Sequence, residues 1–319
     1  MSAATAIRKR KAMGYTAQKY LTTGLFLLIP LVLMILFTLI PAVNMVIWSF
    51  QDRTMSGFKS WVGLDNYARI FGIENKTFGV RDLSYLLVMR NSLYYLVGSF
   101  IQQALALFMA TILCTKLRLA GFFKGVMFFP YMMNGVAVAI IFKNFFGNGD
   151  GLTSPQGTLN SIIGLFAGEG FDGIKWLSDP NNPVMANICL VFASIWRYIG
   201  FDIIMYISAI QSITPDVYEA ADLDGANSWQ RFWYIVFPSI KPIVSLQLIM
   251  AVKGAISVYE IPFIITKGLM GTSTFVIVAN DTAFGSANMI GLACALSMVL
   301  LLITVIVTVV QKLAFRERK

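Results

Sequence analysis

Six strongly apolar runs in the sequence are each long enough to cross a lipid bilayer as a helix. The hydrocarbon core of a bilayer is about 30 Å thick, so a spanning helix needs about 20 predominantly apolar residues. Inside lipid the backbone must satisfy its own hydrogen bonds, which helices do within one segment. The runs therefore predict an all-α membrane protein with six transmembrane helices, near residues 21–49, 91–114, 124–146, 184–210, 239–265 and 288–311.

The distribution of basic residues indicates which side of the membrane each loop faces. The net charge is +9, although only 13% of the residues are charged. Lysine and arginine gather at the termini and in the short 115–123 loop, a pattern typical of cytoplasmic loops rather than of a nucleic-acid surface. Six spans place both termini on one side, so both are predicted to be cytosolic. The 211–238 loop is then cytosolic, and segments 50–90, 147–183 and 266–287 face outward.

Three segments follow from this topology. Residues 1–19 form a basic cytosolic arm, residues 20–312 a transmembrane domain, and residues 313–319 a basic cytosolic tail. A cleaved signal peptide does not fit the N-terminus. The apolar run from Leu21 to about Trp48 is too long for one and lacks a small-residue cleavage site.

Redox, metal and hydrolase chemistry lack their usual side chains in this sequence. It has no histidine, and its three cysteines, Cys114, Cys189 and Cys294, lie singly within apolar runs. Histidine is the commonest metal ligand and a frequent general base, and isolated cysteines indicate neither a disulfide nor a zinc site. We therefore predict no metal site and no cofactor bound by this chain.

The 211–238 loop carries start and stop signals for two short helices. Thr214 suits an N-cap, and Pro215 suits the first helical position after it. Gly225 tolerates the left-handed conformation that ends a helix, and Asn227 or Ser228 can cap a second one. The sequence therefore predicts a helix, a tight turn and a second helix between two membrane spans.

The surface of this helix pair is acidic and built from small residues. Four carboxylates stand beside a single nearby cation, Arg231, although the other cytosolic segments are basic. We interpret the pair as a docking element for a partner protein; the alternative is a solvated connector. Its acidic residues are Asp216, Glu219, Asp222 and Asp224, and its small residues are Ala220, Ala221, Gly225 and Ala226.

The same loop resembles the signature of permease subunits of bacterial binding-protein-dependent ABC importers. Glu219-Ala220-Ala221 matches its Glu-Ala-Ala, Gly225 follows after three intervening residues, and Ile235 and Pro238 match its later positions. Phe237 stands where the signature has leucine.

Further matches extend this resemblance along nearly the whole chain. The form Asp224-Gly225-Ala226 is similar to the carbohydrate-type branch, which includes the maltose and glycerol-phosphate permeases. Trp61–Tyr67, Trp176–Pro180 and Gly291–Ser297 also agree with that branch. Lys267–Met270 departs from it, because a Gly-Gly-Pro run is common there.

The resemblance implies a type I ABC importer permease in a bacterial cell membrane that takes up a sugar, such as an oligosaccharide. Its implied partners are a second homologous permease, two ABC ATPase subunits and an extracytoplasmic solute-binding protein. ATP and magnesium would be bound by the ATPases, and the chain itself contains no Gly-x-x-x-x-Gly-Lys-Ser/Thr phosphate loop. Residues 215–238 would then couple to the ATPase and drive alternating access, through Glu219, Ala220, Ala221, Asp222, Asp224, Gly225 and Ala226.

Polar residues within the apolar runs are candidates for the substrate pathway, because they are costly in lipid and tend to face a cavity or a partner. Sugar recognition needs polar groups and an aromatic face. In carbohydrate permeases, the regions that correspond to residues 196–201 and to the surroundings of Ser257 in this sequence resemble walls of the solute cavity. The candidates are Trp196, Arg197, Tyr198, Gly200, Lys253, Ser257 and Tyr259.

Structural roles are the alternative for several of these residues. Arg197 can pair with Asp202 on its own helix, and Lys253 with a neighbouring helix or subunit. For Asn134 and the Gln102–Gln103 pair we expect interhelical hydrogen bonds rather than contact with substrate.

Other functional classes fit the sequence less well. A stand-alone secondary transporter or channel would need an ion or proton site, yet few carboxylates lie in the spans beyond Asp202 and Glu260. A membrane enzyme would need a nucleophile or metal cluster at a membrane face. An ABC importer permease for a non-sugar solute stays open as an alternative.

Overall fold

The computed structural model of the chain describes most of the transmembrane domain. The described residues are 15–73, 88–115, 118–147, 157–167, 171–179, 182–286 and 288–314. Most of the predicted arm 1–19 and of the predicted tail 313–319 therefore lies outside them, as does part of segment 147–183. A helix already begins at Tyr15, so the last residues of the arm belong to it.

Helices make up most of the described chain. In chain order the elements are α1 (Tyr15–Met34), a π-helical turn (Ile35–Leu39), α2 (Ile40–Trp48), β1 (Gln51–Thr54), β2 (Gly57–Trp61), α3 (Asp65–Ile70), α4 (Met89–Leu113), α5 (Ala120–Met132), α6 (Gly135–Phe145), α7 (Thr158–Ala167), α8 (Pro183–Gln211), α9 (Pro215–Leu223), α10 (Ser228–Arg231), a second π-helical turn (Phe232–Val236), α11 (Phe237–Ile256), α12 (Glu260–Ile265), α13 (Phe275–Phe284) and α14 (Ile290–Ala314).

The membrane spans follow the predicted apolar runs. In the described part of the chain, five helical stretches are long and apolar enough to cross a bilayer, and the bent α5–α6 pair supplies a sixth. Helices α4, α8 and α14 coincide with their predicted spans to within a few residues. The prediction of six transmembrane helices is confirmed.

The third span is broken rather than continuous. Helices α5 and α6 meet at an angle of 94°. Met133 between them is extended, and the Asn134 side chain accepts a hydrogen bond from the Val136 amide at 2.8 Å, which caps the start of α6. The prediction of one helix over 124–146 is therefore wrong, as is an interhelical role for Asn134, because the amide side chain is used locally.

The fifth span differs from its prediction at both ends. A helix runs from Ser228 through α11, so it begins well before the expected residue 239. It stops at Ile256, and α12 resumes at Glu260 after a break at 257–259. The second helix of the predicted loop pair is thus the first part of a membrane span.

A small β-hairpin lies in segment 50–90, which the sequence presented as a loop. β1 and β2 are antiparallel, with Gln51 opposite Trp61. The buried Asn66 side chain donates to the backbone oxygens of Ser49 and Gln51, at 2.9 and 3.0 Å. This amide explains the Trp61–Tyr67 motif, because it fixes α3 against the hairpin.

Buried apolar side chains form three clusters along the helix bundle. One joins α4, α6, α8 and α12, and a second joins α4, α8 and α11. The third packs α14 against α3 and α13. By contrast, no side chain in the most apolar part of the first span, within Thr22–Trp48, is buried by this chain. That span is left to contact lipid or another subunit.

Candidate solute cavity and docking surface

A cavity of about 530 Å³ lies inside the helix bundle. Helices α4, α5, α8 and α11 surround it, and the break at 257–259 and the start of α12 contribute to one wall. Its volume is within the range of sites that hold small ligands. Both interrupted regions, the α5–α6 bend and the break before α12, lie close to it.

A buried carboxylate with amide partners lies at one wall of this cavity. Asp202 of α8 accepts hydrogen bonds from the side-chain amides of Gln102 at 2.6 Å, Gln103 at 2.9 Å and Gln247 at 2.8 Å. The Tyr206 hydroxyl donates to the Gln103 side-chain oxygen at 2.7 Å. The cluster ties α4, α8 and α11 together, which confirms interhelical bonds for the two α4 glutamines.

An ion pair lies where the two interrupted spans meet. Arg197 of α8 pairs with Glu260 at the start of α12, so the alternative that it pairs with Asp202 is wrong. A Cβ atom added at Gly135, the first residue of α6, would lie 2.2 Å from both the Arg197 guanidinium and the Glu260 carboxylate. Only glycine fits there. The ion pair therefore links α8 to the start of α12, and it lies against Gly135 at the start of α6.

Aromatic rings form another part of the cavity wall. Tyr131 of α5 stacks on Phe201 of α8, with ring centroids 5.0 Å apart, and meets Tyr198 edge to face at 6.4 Å. Tyr259 lines the break before α12 and stacks on Phe263 at 4.8 Å. Aromatic faces beside amide and hydroxyl groups suit a solute with both apolar and polar surfaces.

The predicted pathway residues separate into two groups. Tyr198, Ser257 and Tyr259 are part of the lining. The other four lie outside the lining. Trp196 packs edge to face on Phe142, Arg197 is in the ion pair, and Lys253 is exposed. Gly200 lets α8 approach the α5 backbone, because a Cβ atom there would lie 1.9 Å from the Met127 backbone oxygen.

Several residues of the cavity wall were not predicted from the sequence, among them Gln247 and Tyr95. Gln247 is a buried polar residue in an apolar run, so the rule applied to Gln102 and Gln103 was sufficient to find it. Tyr95 had no such signal, because tyrosine is common in membrane helices. It is buried and lines the cavity, and its hydroxyl has no hydrogen-bond partner among the described residues.

The 215–238 loop folds as the predicted helix, turn and helix. Gly225 ends the turn after α9 in the left-handed conformation, at φ +73°. Asn227 caps α10 in a reciprocal arrangement with Gln230, with both bonds at 2.9 Å. Arg231 pairs with Asp222 at 2.5 Å and donates to the Ala226 oxygen, which holds the two helices together.

Most of this helix pair is available to a partner. Glu219, Ala220, Asp222, Asp224 and Gly225 are exposed. Ala226 is half-buried, and Ala221 is buried against the chain itself, so it is not part of the free surface.

Large apolar side chains, absent from the sequence prediction, add to the free surface of the pair. Leu223 is 89% exposed, and Trp229 is 70% exposed.

Tyr218 packs toward the bundle instead, and burial raises the pKa of its hydroxyl, with a smaller contribution from Cys114. Tyr218 therefore stays neutral at physiological pH.

Most of the chain, including helices that line the cavity and the loop, matches a known transport family. Residues 102–319 match the family described as the inner membrane component of binding-protein-dependent transport systems. The chain belongs to this family. The matched region contains α8, α11 and the whole 215–238 loop.

Curated relatives match over nearly their full length. The multiple sugar-binding transport system permease MsmF of Streptococcus mutans is 30% identical, over 90% of this chain and 92% of its own. The arabinooligosaccharide transport system permease AraP of Bacillus subtilis is 29% identical, over 92% of this chain and 87% of its own.

A solved structure shares the fold. It is a bacterial ABC transporter involved in the import of the acidic polysaccharide alginate, with a TM-score of 0.77 over 94% of this chain and 96% of that chain. Its sequence identity of 18% limits the likeness to the fold. The type I permease architecture expected from the sequence is confirmed, and the chain is a membrane transport component.

Proposed function

We propose that this chain is one permease subunit of an ATP-driven importer of sugars, in particular oligosaccharides. The family match over residues 102–319 carries this proposal. The matched region includes both the 215–238 loop and helices that line the cavity, so both features belong to the same transport domain. Relatives named for sugar and arabinooligosaccharide transport support the solute class.

The chain would form half of the translocation pathway beside a second, homologous permease. The apolar first span supports this arrangement, because no side chain in its most apolar part is buried by this chain and such a surface needs lipid or protein to cover it. Two ATPase subunits, which bind ATP and magnesium, would supply the energy. A solute-binding protein would deliver the sugar from outside, as the family description implies.

The 215–238 loop would couple the chain to one ATPase. Exposed acids, among them Glu219 and Asp224, can pair with basic groups of the ATPase, and exposed apolar side chains such as Leu223 can fill a cleft. Because α10 continues into α11, rotation of the docked pair would move the cavity wall. This continuity would allow docking on the ATPase to drive alternating access.

Within the cavity, the aromatic and hydroxyl groups of the lining support contact with sugar. Tyr198, Ser257 and Tyr259 remain our candidates for this role. Trp196, Arg197 and Gly200 would support the wall from behind, and exposed Lys253 would face another subunit or a lipid headgroup. A cytosolic position for both termini remains part of the proposal.

The test is to purify the chain from detergent with its associated subunits and to reconstitute the complex. We expect a second permease and an ATPase to co-purify, and ATP hydrolysis to rise with one sugar-loaded binding protein from a panel. A charge-reversed variant, Glu219→Lys, tests the docking loop: its complex should assemble less well, and its ATP hydrolysis should not depend on sugar. A chain that purifies alone and moves solute without ATP would overturn the proposal.

A further inference from the structure

One face of α11 points away from the rest of the chain. Its members recur at intervals of three, four and seven residues, which places them on one side of a helix. On the opposite side, Val252 and Ala255 are buried in the bundle. We call the exposed residues the α11 face: they are Leu246, Met250, Lys253 and Gly254.

Lys253 lies near the middle of the fifth span. The twelve residues from Lys241, near the start of α11, to Lys253 cover about 18 Å of helix. Half of the hydrocarbon core of a bilayer is only about 15 Å thick. On the other side, α12 continues the span as far as Ile265. Lysine side chains reach the lipid headgroups only from near the end of a span, so a headgroup is out of reach for Lys253.

The described part of the chain supplies no carboxylate for this ammonium group. Among the described residues the ion pairs of the spans do not include Lys253, because Glu260 pairs with Arg197 and Asp202 is bonded to glutamine amides. Lys253 lies in the last turn of α11, where the helix dipole favours a cation. That effect is small beside the cost of a lysine in lipid. The face therefore requires a partner that carries the opposite charge.

Gly254 leaves room for such a partner. A Cβ atom added there meets nothing within 4 Å, so packing within the described chain does not require glycine at this position. Small residues in membrane helices allow a second helix to approach closely. Met250 and Gly254 also line the cavity, so a protein that covers the α11 face would border the cavity as well.

A second copy of this chain does not supply the missing charge. The predicted spans contain two carboxylates, Asp202 and Glu260, and both are already partnered within the chain. Two copies related by a twofold axis would present the same face to each other, so lysine would meet lysine. Like charges in a medium of low dielectric constant repel strongly.

We propose that the α11 face is the contact surface for the second permease, and that this permease is a different chain with a carboxylate in one of its own spans that pairs with Lys253. The inference rests on the proposed function, which requires a second permease. It adds the surface where the two subunits meet, the charge that the partner carries at that depth, and the conclusion that the permease pair is not a homodimer.

Photo-crosslinking identifies the molecule that covers the α11 face. With benzoyl-phenylalanine in place of Met250, irradiation of the whole complex in its membrane should join this chain to the second permease, as identified by mass spectrometry. The same group in place of Leu223, which is 89% exposed on the 215–238 loop, should capture the ATPase.

The two positions separate failure of the inference from failure of the proposed function. If Leu223 captures the ATPase while Met250 captures only lipid or a second copy of this chain, the inference is wrong and the proposed function stands. If neither position captures another subunit, both are wrong.

Charge reversal at Lys253 tests the ion pair. Lys253→Glu should reduce the amount of second permease that co-purifies by about tenfold, because two carboxylates would then meet away from water. Lys253→Gln should reduce it less. Lys241→Glu is the matched control on the same helix, because Lys241 is exposed near the start of α11 rather than at mid-span. Equal recovery of the second permease in all three variants overturns the ion pair.

A reciprocal substitution separates a lost ion pair from misfolding. Each carboxylate within the spans of the second permease is changed to lysine in turn and combined with Lys253→Glu. One combination should restore recovery of the second permease, because the pair is then present with its charges exchanged. Lack of rescue by every combination overturns the assignment of Lys253 to a carboxylate of the second permease.

Discussion

At the residue scale, the most demanding group in the bundle is the Asp202 carboxylate. Removing a carboxylate from water is costly unless hydrogen bonds replace the lost hydration. Here three glutamine amides from two other helices replace it. Hydrogen bonds to an ionised acceptor are stronger than neutral ones. The cluster therefore aligns α4, α8 and α11 around the cavity.

Asp202→Asn tests the strength of this cluster. The substitution replaces one acceptor oxygen by an NH₂ group that faces amide donors. We expect a loss of about 3 kcal/mol in unfolding free energy, measured by thermal or denaturant unfolding in detergent. Asp52→Asn is the control: Asp52 lies 4.0 Å from exposed Lys59, and such surface pairs contribute less than about 1 kcal/mol. Equal losses in the two variants would refute the role of the cluster.

Gly135→Ala tests the packing of the Arg197–Glu260 pair. The added methyl group has no room beside either charged group, so the pair must separate. Arg197 is mostly buried, whereas Glu260 is partly exposed, so we expect a loss of about 2 kcal/mol, between the surface and buried limits.

Gly125→Ala in α5 is the matched control for this glycine, because a Cβ atom there meets nothing within 4 Å. It should leave unfolding unchanged or slightly stabilise the helix, since alanine is the better helix former. If both alanine variants unfold at the same temperature, close packing at Gly135 is not important for stability.

At the scale of the elements, the interruptions of two helices determine where the cavity lies. The α5–α6 bend and the break at 257–259 are joined through Arg197 and Glu260. Breaks in a membrane helix free backbone groups, which are tolerated where they lie inside protein or beside a water-filled cavity. The two breaks therefore lie beside the cavity that we propose for the solute, where freed backbone groups are tolerated.

Asn227→Ala tests whether the N-terminus of α10 must be ordered for coupling. Loss of the cap should cost about 1 kcal/mol of local helix stability. We expect faster hydrogen exchange at residues 228–236 and weaker stimulation of ATP hydrolysis by the sugar-loaded binding protein. Thr214→Ala is the matched control, because the Thr214 side chain makes no capping bond. Equal effects of both variants would contradict a specific role for the Asn227 cap.

At the scale of the whole molecule, the chain has large apolar surfaces that it does not bury itself. No side chain in the most apolar part of its first span is buried, and large apolar side chains on the 215–238 loop face outward. Exposed apolar surfaces of this kind indicate contact with lipid or other proteins. The orientation of the bundle determines which partner meets which surface.

Cysteine accessibility tests that orientation. In a variant whose three native cysteines are alanine, Asp224→Cys on the loop should react with a membrane-impermeant thiol reagent only from the cytosolic side. Lys59→Cys on the hairpin should react only from outside. Both positions are exposed, so access to water is not limiting. Labelling of both positions from the same side would overturn the proposed topology.

The sequence by itself determined the class of fold, because the bilayer demands long apolar helices wherever a chain crosses it. It also determined the 215–238 helix pair. Proline at the first position, a left-handed glycine and an asparagine cap act within a few residues of one another, so no distant contact is needed to place them.

Only the tertiary structure decided which polar groups meet inside the bundle. Arg197 and Glu260 are far apart in the chain, as are Gln102 and Gln247, and no local rule relates such residues. The α5–α6 bend was equally hidden, because an apolar run looks the same whether its helix is straight or broken. The cavity and its charge arise from helix packing, and packing depends on contacts between distant segments.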